Sequence, residues 1–176
     1  AGGVGLLLSQ WARHLGARVI GCVGSEEKAE LARANGCDHT ILYRHEDIPG
    51  KVREFTDGEG VAAAYDSVGK ATFMDSLDSL RPFGVMVSYG NASGPVDPFS
   101  PGILAPKGSL YVTRPTLATH IATRDLLEDG ANRLFAAVTD GKLHIQINQR
   151  YPLSETAQAH RDLEARKTTG STVLIA

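Results

Sequence analysis

The sequence predicts an α/β fold, a doubly wound parallel sheet, from three observations. A glycine turn, Ala-Gly-Gly-Val-Gly at residues 1–5, opens directly into an apolar helical run. Short strand-like runs then alternate with amphipathic stretches, the order in which parallel sheets are wound. The first of those runs, Arg18 to Val23, is rich in β-branched and small residues without polar alternation, as suits a strand covered on both faces. Together these describe a Rossmann-type sheet that the chain enters part-way. Gly2 and Gly5 form the second half of a glycine fingerprint whose first half, with the first strand, belongs before Ala1.

Each element has its own reason. Leu7, Leu8, Trp11, Ala12 and Leu15 recur at helical spacing, and Gly16 closes that helix as a C-terminal cap. After the Arg18 to Val23 strand, Ser25 is an N-cap, Glu26 and Glu27 suit the positive first turn, and the helix continues to Gly36. His39 to Leu42 is a short strand. Pro49 and Gly50 predict a helix that starts late, with Val52 and Phe55 inward, before the turn Asp57-Gly58-Glu59-Gly60. Val61 to Tyr65 is the next strand, a helix spans about Thr72 to Leu80, and Gly84 to Tyr89 is a strand leaving through Gly90-Asn91. Ala92 to Pro106 is dense in Pro, Gly and Ser and reads as an irregular loop at the rim of a site. Ser109 to Thr113 is a strand, and Leu127, Leu134, Phe135 and Val138 mark a longer helix up to Gly141. From Tyr151 a polar extended piece precedes a helix from Ser154, its cap, to about Lys167, and a last strand, Thr172 to Ile175.

Composition narrows the function. The 176 residues are 42% apolar and 22% charged with a net charge of −2, which gives no electrostatic reason to bind nucleic acid. No apolar run approaches the roughly 20 residues that span a bilayer, and the start lacks a signal-peptide pattern, so the expected setting is cytosolic. Cys22 and Cys37 form no CxxC pair and read as reduced, partly buried thiols. None of the six histidines has a partner at metal-ligand spacing. Asn91-Ala92-Ser93 matches a glycosylation pattern only by accident.

The chemistry lies in the glycine turn and the strand ends. Glycines let backbone N–H groups approach a phosphate, and the following helix points its positive end at the charge. About twenty residues on, where an NAD site places a carboxylate against the ribose 2′-hydroxyl, this sequence has Gly24-Ser25 with Lys28 one turn later, which favours NADP. Tyr43 and Arg44, at the carboxyl end of a strand, are further cofactor candidates, Arg44 the weaker. Asp66, followed by Ser-Val-Gly, reads as a turn former rather than an acid or base.

Six stretches, AGGVGLLLSQWARHLGARVIG, GSEEKAELARANGCDHTI, YDSVGKATF, MVSYGNASG, KGSLYVTRP and LEARKTTGSTVLIA, resemble the NADPH-dependent, zeta-crystallin-like quinone oxidoreductases of the medium-chain dehydrogenase/reductase superfamily. The resemblance runs from end to end of the chain. It implies a Rossmann-type NADP-binding domain over residues 1–150, and a segment over 151–176 whose helix and strand return to a substrate domain outside this chain. It implies that Gly3, Val4 and Gly5 face the pyrophosphate and that Gly24, Ser25, Lys28 and Tyr43 surround the 2′-phosphate. Ser67 then lines the adenosine side. Ser88, Tyr89, Gly90, Asn91, Val112 and Thr113 hold the nicotinamide half, and Arg166 and Gly170 make a late cofactor contact. No catalytic side chain and no metal ligand is expected here.

The activity so implied is hydride transfer from NADPH to a quinone or another conjugated carbonyl, independent of zinc. The alternatives are an enoyl or alkenal reductase of the same superfamily and a crystallin-like nucleotide-binding module without turnover. A further expectation is that the strands Val19 to Val23 and Val61 to Tyr65 lack a pairing neighbour, which either further residues of the polypeptide or a strand borrowed from a partner supplies. The last is a homodimer: Ser109 to Thr113 is an unprotected edge strand, able to pair with its own copy across a two-fold axis.

Overall fold

The computed structural model describes residues 1–176. In chain order its elements are α1 (Gly3–His14), β1 (Ile20–Val23), α2 (Glu26–Ala34), β2 (His39–Leu42), α3 (Ile48–Phe55), β3 (Val61–Asp66), α4 (Phe73–Asp78) and β4 (Leu80–Ser88). A 3-10 turn (Pro101–Leu104) follows, then β5 (Tyr111–Thr113), α5 (Leu117–His120), α6 (Arg124–Thr139), β6 (Ile147–Pro152), a second 3-10 turn (Leu153–Glu155), α7 (Thr156–Glu164) and β7 (Ser171–Ile175). Every strand pair is parallel, in the orders β1-β2, β3-β4-β5 and β6-β7. This is the α/β, Rossmann-type winding expected. Strands β1 to β5 form one sheet of two and another of three.

The chain forms two compact units. The first comprises Ala1–Arg44 and Ala131–Ala176. Its β1-β2 ladder runs in strict register from Ile20↔His39 to Val23↔Leu42, and α2 covers it through Val23, Ala29, Ala32 and Cys37. Gly21 has no side chain because Cys37 lies there: a Cβ at Gly21 would sit 2.7 Å from the Cys37 sulfur. Burial pushes the Cys37 thiol above the ordinary range, only partly offset by its hydrogen bond with Ser9. Cys22, by contrast, is exposed.

Of the apolar positions expected to face inward on α1, Leu7, Leu8, Trp11 and Ala12 are half-buried. Leu6 is its buried residue, while Leu15 is 67% exposed. The helix meets α2 through Ser9 and Gln10, whose backbone lies against Gly36, and Gln10 bonds Asn35 at 3.0 Å. Polar packing of this kind carries no apolar period. Asn35 is buried and also accepts from Gln146 at 2.9 Å, which ties the approach to β6 to the same junction.

The second unit, His45–Gly130, packs Phe73, Leu77, Leu80, Met86 and Leu110 beneath β3-β4-β5. Each such large apolar side chain, fully buried, contributes about 1.5–3 kcal/mol. α3 starts at Ile48, earlier than expected. Asp47 caps it by accepting from Gly50 N–H at 3.1 Å, and Pro49 falls in the first turn, where no intrahelical donor is needed. The Arg53 guanidinium then spans the 58–80 turn region, donating to the carbonyls of Gly58, Asp78 and Leu80.

Several boundaries differ from expectation for local reasons. β4 begins at Leu80, with a register shift against β3, rather than at Gly84. β5 is shortened to Tyr111–Thr113 because Ser109 takes a positive φ of 55° after Gly108. The loop from 92 to 106 is not wholly irregular: Ser100 caps the 3-10 turn, and Val96, Ile103 and Leu104 pack on the core. α6 buries only Ala137, with Leu127, Leu134 and Phe135 exposed. Ser154 does not cap α7: it lies in the preceding 3-10 turn, and the N-cap position is Glu155.

Candidate functional site

In the first unit, β1 delivers the chain to Gly24 and Ser25. Ser25 Oγ accepts from Lys28 N–H at 3.4 Å, so the cap that starts α2 also fixes the root of the Lys28 side chain. Gly24 leaves room for Tyr43, entering from the end of β2: a Cβ at Gly24 would lie 3.0 Å from the Tyr43 hydroxyl. That hydroxyl accepts from Arg166 Nη1 at 3.2 Å, and the Lys28 ammonium donates to the Arg166 carbonyl at 2.8 Å. Arg166 follows α7 with a left-handed φ of 59°. Neither Lys28 nor Arg166 is paired with a carboxylate. Two cations and two hydroxyls thus gather where three chain segments meet.

The glycine turn lies in the same unit. Gly2 is the extended N-cap of α1, and no side chain caps it. The first α-helical bond is Leu6 N–H to Gly2 carbonyl, so the N–H groups of Gly3, Val4 and Gly5 have no intrahelical acceptor, and that of Gly3 faces the Gly170 carbonyl across the Gly2–Gly170 bridge. Gly3 abuts Gly170, whose carbonyl would be 3.3 Å from a Cβ there, and Gly2 bridges Gly170. Gly170 needs its φ of 57° and its lack of side chain, since a Cβ would meet the Gln146 carbonyl at 2.6 Å. Arg166 and Gly170 are therefore parts of the wall around these turns.

In the second unit the carboxyl ends of β3, β4 and β5 converge. Asp66 closes β3 with a tight turn through Val68 and Gly69, as expected of a turn former. Gly90 lies on Ser67 so closely that a Cβ would be 2.8 Å from the Ser67 Cα. Ser88 is buried, and Tyr89 N–H donates to the Asp66 carbonyl at 2.8 Å. Ser88, Asn91 and Val112 face a cavity of about 260 Å³ walled by Phe73 and Phe99, whose rings are 5.0 Å apart. Thr113 is exposed at the end of β5 and is not among the cavity residues. Sequence reasoning missed Arg114. Its guanidinium lines the cavity and donates to the Ser88 carbonyl at 2.8 Å; an Arg-Pro pair directly after an edge strand was the available signal.

The profile of the zinc-binding dehydrogenase family matches residues 3–129. The chain belongs to that family. It is similar to a quinone oxidoreductase of Pseudomonas aeruginosa, 53% identical over 99% of this chain and 54% of the relative. A 2-haloacrylate reductase of Burkholderia is 48% identical over 99% of this chain and 53% of the relative. The crystal structure of Escherichia coli quinone oxidoreductase complexed with NADPH superposes with a TM-score of 0.96 at 47% identity, covering 100% of this chain and 55% of that one. The chain spans about half the length of the curated relatives it matches. The resemblance to quinone oxidoreductases drawn from the six motifs is therefore borne out.

The family's name implies zinc. The residues of this chain do not fit it, because no three His, Cys, Asp or Glu side chains are grouped closely enough to hold a metal ion. A dinucleotide phosphate fits better: the first turn of α1, which no side chain caps, and the carboxylate-free Lys28–Arg166 pair offer donors suited to anions.

Proposed function

We propose that the full polypeptide is an NADPH-dependent oxidoreductase that reduces a quinone or a related conjugated carbonyl compound. The observation that carries this reading is the cluster of Lys28, Arg166, Tyr43 and Ser25, which offers cations and hydroxyls where an NAD site needs a carboxylate. The NADPH in the Escherichia coli relative's crystal structure and the quinone oxidoreductase names of several relatives support it. In this reading residues 1–150 form the nucleotide half and 151–176 return to a substrate domain. The setting is cytoplasmic, and neither nucleic acid nor membrane is a partner.

When bound, NADPH supplies a hydride from its nicotinamide. The residues of this chain bind and orient. Gly3, Val4 and Gly5 give N–H donors to the pyrophosphate. Gly24, Ser25, Lys28, Tyr43 and Arg166 take the 2′-phosphate, with Gly170 holding Gly3 in place. Ser67 supports the adenosine side. Ser88, Tyr89, Gly90, Asn91, Val112 and Thr113 shape the nicotinamide end. The rate enhancement then comes from position and exclusion of water, and no side chain here acts as nucleophile or base.

A second reading, reduction of a carbon–carbon double bond conjugated to a carbonyl, is favoured by the 2-haloacrylate reductase relative. Mixing the full-length protein with NADPH and either 1,4-benzoquinone or an enoate, and following loss of nicotinamide absorbance, tests both. Turnover of the quinone supports the first reading and turnover of the enoate alone supports the second. Turnover of neither leaves a nucleotide-binding module.

A further inference from the structure

Asp66 has both carboxylate oxygens occupied. Oδ1 accepts from Val68 N–H at 2.6 Å and Gly69 N–H at 3.0 Å; Oδ2 accepts from Thr72 Oγ1 at 2.7 Å and Ser76 Oγ at 2.9 Å. The side chain is buried, and with four donors on its two oxygens it is committed to its own turn rather than presented to a ligand. What it orders is the segment from Ser67 to Lys70, joining β3 to the first turn of α4. That segment in turn holds the exit of β4. Ala92 N–H donates to the Ser67 carbonyl at 3.1 Å, Ser93 N–H to the Val68 carbonyl at 2.7 Å, and Lys70 N–H to the Gly94 carbonyl at 3.2 Å. Ser93 Oγ bonds the Val68 carbonyl and accepts from Ala71 N–H. Gly90 is wedged on the Ser67 backbone with no space for a Cβ.

We propose that Asp66 is a positioning residue of the cofactor site, setting Ser67, and through it Gly90–Asn91, by closing the turn at Val68 and Gly69. The proposal rests on the NADPH reading above. The two backbone donors have fixed directions, whereas the Thr72 and Ser76 hydroxyls can rotate, so the Oδ1 bonds are the ones that set the turn. Asparagine can keep them; alanine cannot. A carboxylate used only for stability would lower the melting temperature when removed. One used for positioning changes cofactor affinity and the turnover of the saturated enzyme as well, since misplacing reacting groups by about an ångström costs up to roughly a hundredfold.

The test uses the full-length protein with Asp66→Ala, Asp66→Asn and Asp66→Glu, at a temperature where each is folded. NADPH affinity is read by nicotinamide fluorescence, kcat and KM with 1,4-benzoquinone, and amide hydrogen exchange at Tyr89, Ala92 and Ser93. Asp66→Ala should weaken NADPH binding and lower kcat at saturating NADPH, each by about tenfold or more, with exchange protection lost at those three amides. Asp66→Asn should return both constants to within about threefold of the parent. If Asp66→Ala does not fold, Asp66→Glu, whose oxygens are displaced by a methylene, should show the same losses. Constants within about twofold of the parent in a folded Asp66→Ala or Asp66→Glu protein overturn the proposal, whatever the melting temperature does. A parent that does not bind NADPH overturns the functional reading. The positioning proposal, which rests on that reading, falls with it.

Discussion

The Lys28 ammonium donates to the backbone carbonyl of Arg166, 138 positions away, at 2.8 Å. The bond joins the first turn of α2 to the exit of α7, and the Arg166 guanidinium reaches on to the Tyr43 hydroxyl. A left-handed backbone at Arg166, φ 59°, lets its carbonyl face one residue while its side chain meets another. Lys28 spends a hydrogen bond here but no charge, because its partner is a neutral carbonyl. Its full positive charge, with that of Arg166, stays available to an anion.

Gly21 and Cys37 form a second exact-fit pair, and replacing the glycine should be costly. The added Cβ would sit 2.7 Å from the Cys37 sulfur, so Gly21→Ala should destabilise the full-length protein by about 1–3 kcal/mol in urea unfolding. Gly21→Ala combined with Cys37→Ala should recover a large part of that loss. Additive effects of the two changes would show that the clash is not the cause.

Gly170 carries a different constraint, on the glycine turn. Its φ of 57° and the Gln146 carbonyl both exclude a side chain, so Gly170→Ala should cost about 1–2 kcal/mol from backbone conformation alone, and more from the contact. Since Gly170 supports Gly3 rather than the 2′-phosphate cluster, affinity for NADPH and NADH should fall together. Isothermal titration of both cofactors checks this; a loss confined to NADPH would contradict it.

The tail has its own pH dependence. The Gln158 amide and the Tyr151 hydroxyl, 3.0 Å away, hold the Asp162 carboxyl below the usual carboxylate range, and the same contact pushes Tyr151 above the usual phenol range. A depressed carboxyl contributes stability that is present above its unfolded pKa and lost as pH falls through its folded one, from about pH 4 downwards. A raised phenol contributes stability present below about pH 10 and lost as pH rises through its folded pKa. Tyr151→Phe should therefore bring the Asp162 carboxyl, followed by NMR, closer to the ordinary range. An unchanged titration would sink this account.

β5 ends the β3-β4-β5 order, with Tyr111 and Thr113 exposed and no proline or inward charge in the strand. We propose that two copies join through residues 109–113, antiparallel across a two-fold axis. Tyr111→Pro should release monomers in sedimentation while NADPH binding persists. A parent that sediments as a monomer at micromolar concentration, or a variant that stays dimeric, would refute the edge pairing.

The α/β winding was legible because parallel strands and their helices leave local marks: the Ser25 cap, the Gly16 stop and the continuous apolar run before Val23. Less visible were contacts made by polar atoms across long separations. Gln10 joins α1 to Asn35, which also accepts from Gln146, and no periodicity records that. The start of α3 at Ile48 is hidden in the sequence, because Pro49 breaks helix interiors yet fits a first turn. Ser25, Lys28 and Tyr43 stand out in the sequence as cofactor candidates, whereas the sequence offers Arg166 only as a late cofactor contact; its meeting with Lys28 and Tyr43, 138 and 123 positions away, leaves no local mark. Asp66 was legible as a turn former, but not the loop that its turn supports.

The central claim is that the Lys28, Arg166 and Tyr43 cluster reads the 2′-phosphate. Titrating full-length Lys28→Ala with NADPH and with NADH tests it most directly. NADPH binding should weaken by about 1.5–3 kcal/mol, roughly tenfold or more in Kd, the worth of charge-assisted bonds, while NADH changes by less than about twofold. Equal losses for the two cofactors, or no loss for either, would contradict the assignment.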